Sequence, residues 1–123
     1  MRVLLATDSP DLGHALRLFL SERCINVVDV VGDCELVVRE AATARPDVVV
    51  LDWRLGDAVS RKMIADLMSG DDPLPVIVLS TTRDRLRAKE SGAAAYATLG
   101  DPPDTLLAAI HEVGQGPAER ESG

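Results

Sequence analysis

The amino-acid sequence predicts an α/β fold of the doubly wound (βα)5 type, with a five-stranded parallel sheet between two layers of helices. Five short runs of β-branched or aliphatic residues alternate with amphipathic segments along the chain. Two central runs, DVVVLD and PVIVLS, are apolar throughout, as is typical of strands covered by helices on both faces. A chain of 123 residues has the length of one domain.

The first βα unit is predicted from its apolar spacing and its helix start. A strand over Val3–Ala6 precedes a helix over Asp11–Glu22, in which apolar residues recur every three or four positions. Ser9 supplies an N-cap for this helix and Pro10 a proline in its first turn.

The next units follow the same alternation. Strands are predicted at Val27–Val31 and Val48–Leu51, with a helix over Glu35–Ala44 between them. A helix over Arg61–Met68 then leads to a strand over Val76–Leu79. The continuous apolar character of the third and fourth strands is typical of strands covered by helices on both faces.

The last units are shorter and more charged. A helix over Arg83–Ser91 is followed by a strand over Ala94–Thr98 and a helix over Pro103–Val113. The final residues are rich in Gly, Pro and charge, so we expect a folded domain over 1–116 and a linker or disordered tail over 117–123.

Composition excludes several classes of function. Lys and Arg number 13 against 20 Asp and Glu, for a net charge of −7, so the chain lacks the overall attraction to phosphate that drives nucleic-acid binding. No apolar run approaches the roughly 20 residues that span a bilayer. The N-terminus reaches acid and proline too early for a signal peptide. We therefore expect a cytoplasmic domain with no direct contact to nucleic acid or membrane.

Cysteines and aromatic residues are rare in this chain. Cys24 and Cys34 have neither metal-ligand spacing nor the density of a disulfide scaffold, so both are predicted to be buried free thiols. Trp53 should leave its strand on the face opposite to Asp52. We predict that it packs beneath the third helix.

Two carboxylates end separate apolar strands. Asp8 and Asp52 should meet at the carboxyl edge of the sheet, where they are suited to Mg²⁺; the alternative is that each acid only caps the helix after it. No glycine-rich phosphate loop follows the first strand. His14 and His111 lie within predicted helices, far from the strand ends, which argues against a Ser/His/Asp set and an enzyme.

Several blocks of this sequence resemble the receiver domains of two-component response regulators, with the NarL/FixJ branch as the most similar. The blocks are RVLLATDSP, PDVVVLDWRL, PVIVLSTT and GAAAYATLGDPPDTLLAAIHEVGQG. The likeness extends from Arg2 to about Gly116, and the spacing of Asp8, Asp52 and Ser80 matches that family. The resemblance implies a flavodoxin-like receiver fold.

The resemblance also implies site residues. Asp52 would be the phosphoryl acceptor, and Asp8, Asp52 and the backbone carbonyl of Arg54 would bind Mg²⁺. Ser80 and Tyr96 would form the switch, in which a hydroxyl moves onto the acyl phosphate and the aromatic ring turns inward.

Three departures from the family pattern indicate an atypical receiver. Thr7 stands where the family has another acid, and Leu99 where it has an almost obligatory lysine. The interval from Ser80 to Leu99 is about one helical turn shorter than usual. Losing the lysine should weaken phosphoryl stabilisation roughly 10- to 150-fold, and Mg²⁺ should bind weakly. With less compensation, either Asp8 or Asp52 should have a raised pKa.

The sequence therefore favours an atypical receiver that signals through protein contacts, with impaired or absent aspartyl phosphorylation, as the regulatory part of a transcription regulator. Self-association is expected through the fourth helix, fifth strand and fifth helix, or through the first and fifth helices. Two alternatives stay open. One is a conventional receiver phosphorylated on Asp52 by a histidine kinase, and the other is a small-molecule sensor with an apolar pocket at Leu99.

Overall fold

A computed structural model describes residues 1–122, with side chains described as far as Gly114. Five parallel strands form one sheet in the order β2-β1-β3-β4-β5. The strands are Arg2–Ala6 (β1), Asn26–Val31 (β2), Val48–Asp52 (β3), Val76–Ser80 (β4) and Ala95–Thr98 (β5). Strand order reverses between β1 and β3, so their carboxyl ends form the crevice where doubly wound folds bind ligands. The predicted flavodoxin-like α/β fold is confirmed.

Helices connect the strands and cover both faces of the sheet. They are Pro10–Ser21 (α1), Cys34–Ala44 (α2), Asp57–Met68 (α3), Arg85–Lys89 (α4) and Pro103–Ser122 (α5), with a short 3-10 helix at Trp53–Leu55 after β3. Ser9 caps α1 as predicted, its Oγ accepting the Leu12 N–H at 3.2 Å. Among the helices described, none is both long and apolar enough to cross a membrane.

The sheet separates two hydrophobic cores. Leu16 and Ile110 pack on one face, beneath α1 and α5. Val37, Ile64 and Ala88 pack on the other, beneath α2, α3 and α4. Alternate residues along each central strand point into one core or the other, which explains why those strands are apolar at every position.

Two helices differ from the sequence prediction. The third helix begins one turn earlier than predicted, at Asp57, because Gly56 with φ 131° both ends the 3-10 helix and precedes α3 directly. The fourth helix is only five residues long. A turn precedes it, in which the Asp84 N–H is donated to the Thr81 carbonyl at 3.1 Å, and Gly92 with φ 87° follows it.

The predictions for the cysteines and the C-terminus had mixed outcomes. Both cysteines are free, and Cys34 is buried. Cys24 is exposed, contrary to prediction, because it lies in the turn after α1 with φ 63°. The last helix continues beyond the predicted end at Val113. The predicted tail, 117–123, lies outside the residues whose side chains the structure describes, and the boundary at residue 116 stays a prediction.

Candidate functional site

The carboxylate of Asp52 lies at the end of the central strand β3 and is fully buried. Thr7 follows the neighbouring strand β1 and is also buried. Because the two strands are adjacent and parallel, their end residues reach the same edge of the sheet. The Thr7 hydroxyl donates a hydrogen bond to Asp52 Oδ2 at 2.7 Å. Thr7 thus acts as a hydrogen-bond donor to the carboxylate.

The remaining acceptor positions of Asp52 are taken by Arg54. Its backbone N–H and its Nε each donate to Oδ1 at 3.0 Å, and its Nη2 donates to Oδ2 at 2.8 Å. The 3-10 turn permits this contact because it brings the second residue after Asp52 back over the carboxylate. A carboxylate has about four acceptor sites, and Thr7 and Arg54 fill them. The Arg54 side chain is 45% exposed, so it covers the carboxylate from the solvent side.

The electrostatics of Asp52 follow from these donors. Burial raises the pKa of Asp52, but the hydrogen bonds from the Arg54 side chain, from Thr7 and from the Arg54 backbone outweigh that effect, and the pKa is lowered overall. The hydrogen bond to Asp52, aided by the charges of Asp52 and Asp8, raises the pKa of Arg54. The expected rise in a carboxylate pKa is therefore wrong for Asp52, because a cation compensates its charge.

The arrangement of donors does not fit a bound metal ion. Asp52 Oδ2 already accepts hydrogen bonds from Thr7 and Arg54, and Oδ1 accepts from the backbone N–H and Nε of Arg54. Asp8 is exposed. In the described part of the chain, no group of three or more His, Cys, Asp or Glu residues is placed to hold a metal. Mg²⁺ would have to displace the Arg54 guanidinium from the carboxylate. The ligand set of Asp8, Asp52 and the Arg54 carbonyl stays a prediction.

The two predicted switch residues lie on β4, which is next to β3, and on β5, at the edge of the sheet beyond β4. Ser80 is buried at the end of β4, and its carbonyl accepts the Leu99 N–H at 2.7 Å. Tyr96 on β5 is half-buried, and its hydroxyl donates to the Lys89 carbonyl at the end of α4, at 2.8 Å. The ring therefore contacts α4 in this structure, and its switching role stays a prediction.

Leu99 belongs to the hydrophobic core rather than to the charged site. It is half-buried and packs against the core beneath α1 and α5. It also lines a cavity of about 170 Å³ together with Leu12, Leu16 and Leu106. Leu99 thus supplies no charge to Asp52, and its equivalence with the lysine of the family stays a prediction.

Trp53 points away from the site, as predicted. It is 3% exposed and packs with Met63 and Ile64 of α3 in the core beneath α2 and α3. The Arg61 guanidinium lies 5.7 Å from the centroid of its ring.

Sequence reasoning missed the guanidinium of Arg54, which was named only for its backbone carbonyl. The sequence does place a basic residue two positions after Asp52, where the chain leaves the strand, and that position indicates a cation near the carboxylate. The absence of a lysine at Leu99 left a buried carboxylate without a cation, and buried charges require partners. These two facts together could have identified Arg54.

Comparison with protein families and curated sequences gives a consistent result. The family described as the response regulator receiver domain matches residues 3–111. A transcriptional regulatory protein, KdpE of Mycobacterium tuberculosis, is 34% identical over 111 residues, covering 88% of this chain and 48% of the relative. A protein-glutamate methylesterase/protein-glutamine glutaminase of Archaeoglobus fulgidus is 30% identical, covering 94% of this chain and 33% of that protein. The chain thus spans half or less of these relatives.

Solved structures show the same fold. The receiver domain of the response regulator NarL from Mycobacterium tuberculosis superposes with a TM-score of 0.75 at 24% identity, covering 94% of this chain and 96% of that chain. A LuxR-family response regulator from Aurantimonas gives a TM-score of 0.76 at 24% identity, and the match covers 98% of this chain and 92% of that chain. The family match over most of the chain and the five-stranded parallel fold agree. The chain belongs to the response regulator receiver domain family.

Proposed function

We propose that this domain is the regulatory part of a transcription regulator and signals through protein contacts, with impaired phosphorylation of Asp52. The observation that carries the proposal is the hydrogen-bonded ion pair between Arg54 and Asp52. KdpE, a relative named as a transcriptional regulatory protein, is about twice as long as the region it shares with this chain. That length supports an output domain beyond the receiver, and this domain is then regulatory rather than catalytic.

The ion pair opposes phosphorylation because the acceptor must be a free nucleophile. Attack on phosphorus requires an Asp52 oxygen with an available lone pair, and cations that neutralise the phosphoryl oxygens. Here Arg54 and Thr7 hold both oxygens. Leu99 adds no cation to the site. A hydrogen bond to a charged group stabilises the folded arrangement by about 1.5–3 kcal/mol. The Arg54 side chain is partly exposed, so solvent screening reduces the contribution of its ion pair with Asp52.

A conventional receiver is the second candidate, and one observation favours it. The Arg54 side chain is 45% exposed, so a histidine kinase or Mg²⁺ could displace it toward solvent. Asp52 would then accept the phosphoryl group, Asp8 would help to bind a weakly held Mg²⁺, and Ser80 and Tyr96 would switch.

For the partner, we propose a second copy of the domain bound through α4, β5 and α5. Leu86 on α4 is 71% exposed, the largest exposure among the large apolar residues of the described chain. Arg85 and Arg87 flank it directly, and residues 83–90 contain four basic and two acidic residues in a chain of net charge −7. An exposed leucine among cations suits the acidic surface of another copy. The alternative face, α1 with α5, exposes Leu18 at 53%.

The test is incubation with acetyl phosphate and Mg²⁺, followed by intact mass spectrometry. We expect slow and partial addition of one phosphoryl group to the wild-type domain, and none to Asp52→Asn. Rapid, near-complete addition that Asp52→Asn abolishes would contradict impaired phosphorylation and favour the conventional receiver.

A further inference from the structure

The C-terminal end of α4 is held by side chains from two other elements. Arg61 of α3 donates from Nη2 to the Arg87 carbonyl at 3.2 Å and from Nη1 to the Glu90 carbonyl at 3.4 Å. The Tyr96 hydroxyl donates to the Lys89 carbonyl between them. The last carbonyls of a helix lack partners within the helix, and cationic side chains there are favourable. Arg61 and Tyr96 together therefore cap α4.

The same Arg61 guanidinium also contacts the region beside Asp52. Its Nε donates to Asp57 Oδ1 at 2.6 Å, at the start of α3. Its charge faces the ring of Trp53 at 5.7 Å. Trp53 directly follows Asp52 and shares the 3-10 helix with Arg54. One side chain thus contacts both the end of α4 and the segment that carries the counter-ion of Asp52.

Few other side-chain contacts fix the position of α4: Arg87 Nη1 lies 4.0 Å from Asp57 Oδ2 at the start of α3, and the Ser91 hydroxyl donates to the Ala88 carbonyl. The helix has five residues, of which Ala88 is the buried one, and Leu86 faces solvent. A single helical turn is unstable without tertiary contacts. Its placement must therefore depend strongly on the side chains that cap it.

We infer that Arg61 is a positioning residue that couples the 3-10 helix beside Asp52 to α4, by a route separate from the Ser80 and Tyr96 switch. A change in the Asp52–Arg54 pair moves the 3-10 helix, and Trp53 and Arg61 transmit that movement to the end of α4. The inference rests on the proposed function only in treating α4 as part of the contact surface.

The first test measures hydrogen exchange of the α4 backbone without any phosphodonor. Arg61→Met keeps most of the side-chain volume and removes the donors, so we expect α4 amides to exchange about tenfold faster. Lys62→Met is the matched control, because Lys62 is exposed on the same helix and has no described bond to α4, and it should leave exchange unchanged. Arg61→Lys, whose single ammonium cannot span both carbonyls, should be intermediate. Unchanged α4 exchange in Arg61→Met would overturn the inference.

The second test separates coupling from simple support. Arg54→Met should accelerate α4 exchange and shift Trp53 fluorescence in the wild-type background. In an Arg61→Lys background, the same substitution should change α4 exchange less than twofold while still shifting the fluorescence. Equal effects of Arg54→Met in both backgrounds would show that Arg61 only supports α4, and would overturn the coupling. Because no phosphoryl transfer is measured, failure here is distinct from failure of the proposed function.

Discussion

The guanidinium of Arg54 is paired in two places with the carboxylate of Asp52, with Nη2 2.8 Å from Oδ2 and Nε 3.0 Å from Oδ1. Arg54, two positions after Asp52, thus supplies the cation that pairs with this buried carboxylate. The family resemblance predicts that Thr7 replaces an acid and Leu99 a base. With Arg54 as its partner, the buried carboxylate of Asp52 keeps one cation without that base.

The lowered pKa of Asp52 predicts a pH-dependent stability. A carboxylate whose pKa is lower in the folded than in the unfolded state stabilises the fold at pH values above the unfolded pKa of about 3.9. That stabilisation is lost as the pH falls through the folded pKa. Urea unfolding of wild type and Asp52→Asn should therefore show a larger advantage of the wild type at pH 7 than at about pH 3. An advantage that grows as the pH falls would show that the pKa is raised instead.

Restoring the missing acid should create a metal site. Thr7→Asp places a second carboxylate beside Asp52, so Mg²⁺ becomes the more favourable counter-ion. Trp53 fluorescence should respond saturably to millimolar Mg²⁺ in this variant and weakly in the wild type. Thr7→Val loses the hydrogen bond to Asp52 without adding charge and is the matched control. An equal response in Thr7→Val, or a saturable one in wild type, would contradict the prediction.

A lysine at position 99 should accelerate phosphorylation only when Arg54 is absent. Leu99 is half-buried against the core, so Leu99→Lys should lower the free energy of unfolding by about 1–2 kcal/mol. With Arg54 present, the rate of phosphorylation by acetyl phosphate should hardly change. In an Arg54→Met background, Leu99→Lys should raise this rate about tenfold, while Leu99→Met should not. A large gain with Arg54 present would show that Arg54 does not occupy the acceptor.

The proposed self-association surface can be tested at its most exposed apolar residue. Leu86→Glu should change the free energy of unfolding by no more than about 0.5 kcal/mol from the wild-type value, because Leu86 is 71% exposed. It should weaken self-association, measured by analytical ultracentrifugation, about tenfold or more. Leu18→Glu on α1 is the control. If Leu18→Glu dissociates the protein and Leu86→Glu does not, the interface is formed by α1 and α5.

The fold was predictable because its signals are local. Apolar runs and caps such as Ser9 indicate strands and helix starts without knowledge of the tertiary structure. The α4 boundary was less predictable, because charged residues in RDRLRAKE fit a longer helix. Its actual limits depend on Thr81 and on Gly92.

The site was predictable in position but not in its contacts. The carboxyl ends of β1 and β3 had to bring Thr7 and Asp52 together, and the structure places them in a hydrogen bond. The pairing with Arg54 depends on a 3-10 turn and on one side-chain conformation, and residue spacing alone does not specify either. The two carbonyls that Arg61 contacts on α4 lie far from it in sequence, so no local pattern indicates them.

The central claim is that Arg54 restrains Asp52 as a phosphoryl acceptor. The most direct measurement is the rate of phosphoryl addition from acetyl phosphate and Mg²⁺, by intact mass, in wild type and Arg54→Met, with the exposed Arg85→Met as control. We predict that Arg54→Met adds the phosphoryl group about tenfold faster than wild type and that Arg85→Met adds it at the wild-type rate. Any variant that also carries Asp52→Asn should add no phosphoryl group. Equal rates in wild type and Arg54→Met would contradict the claim.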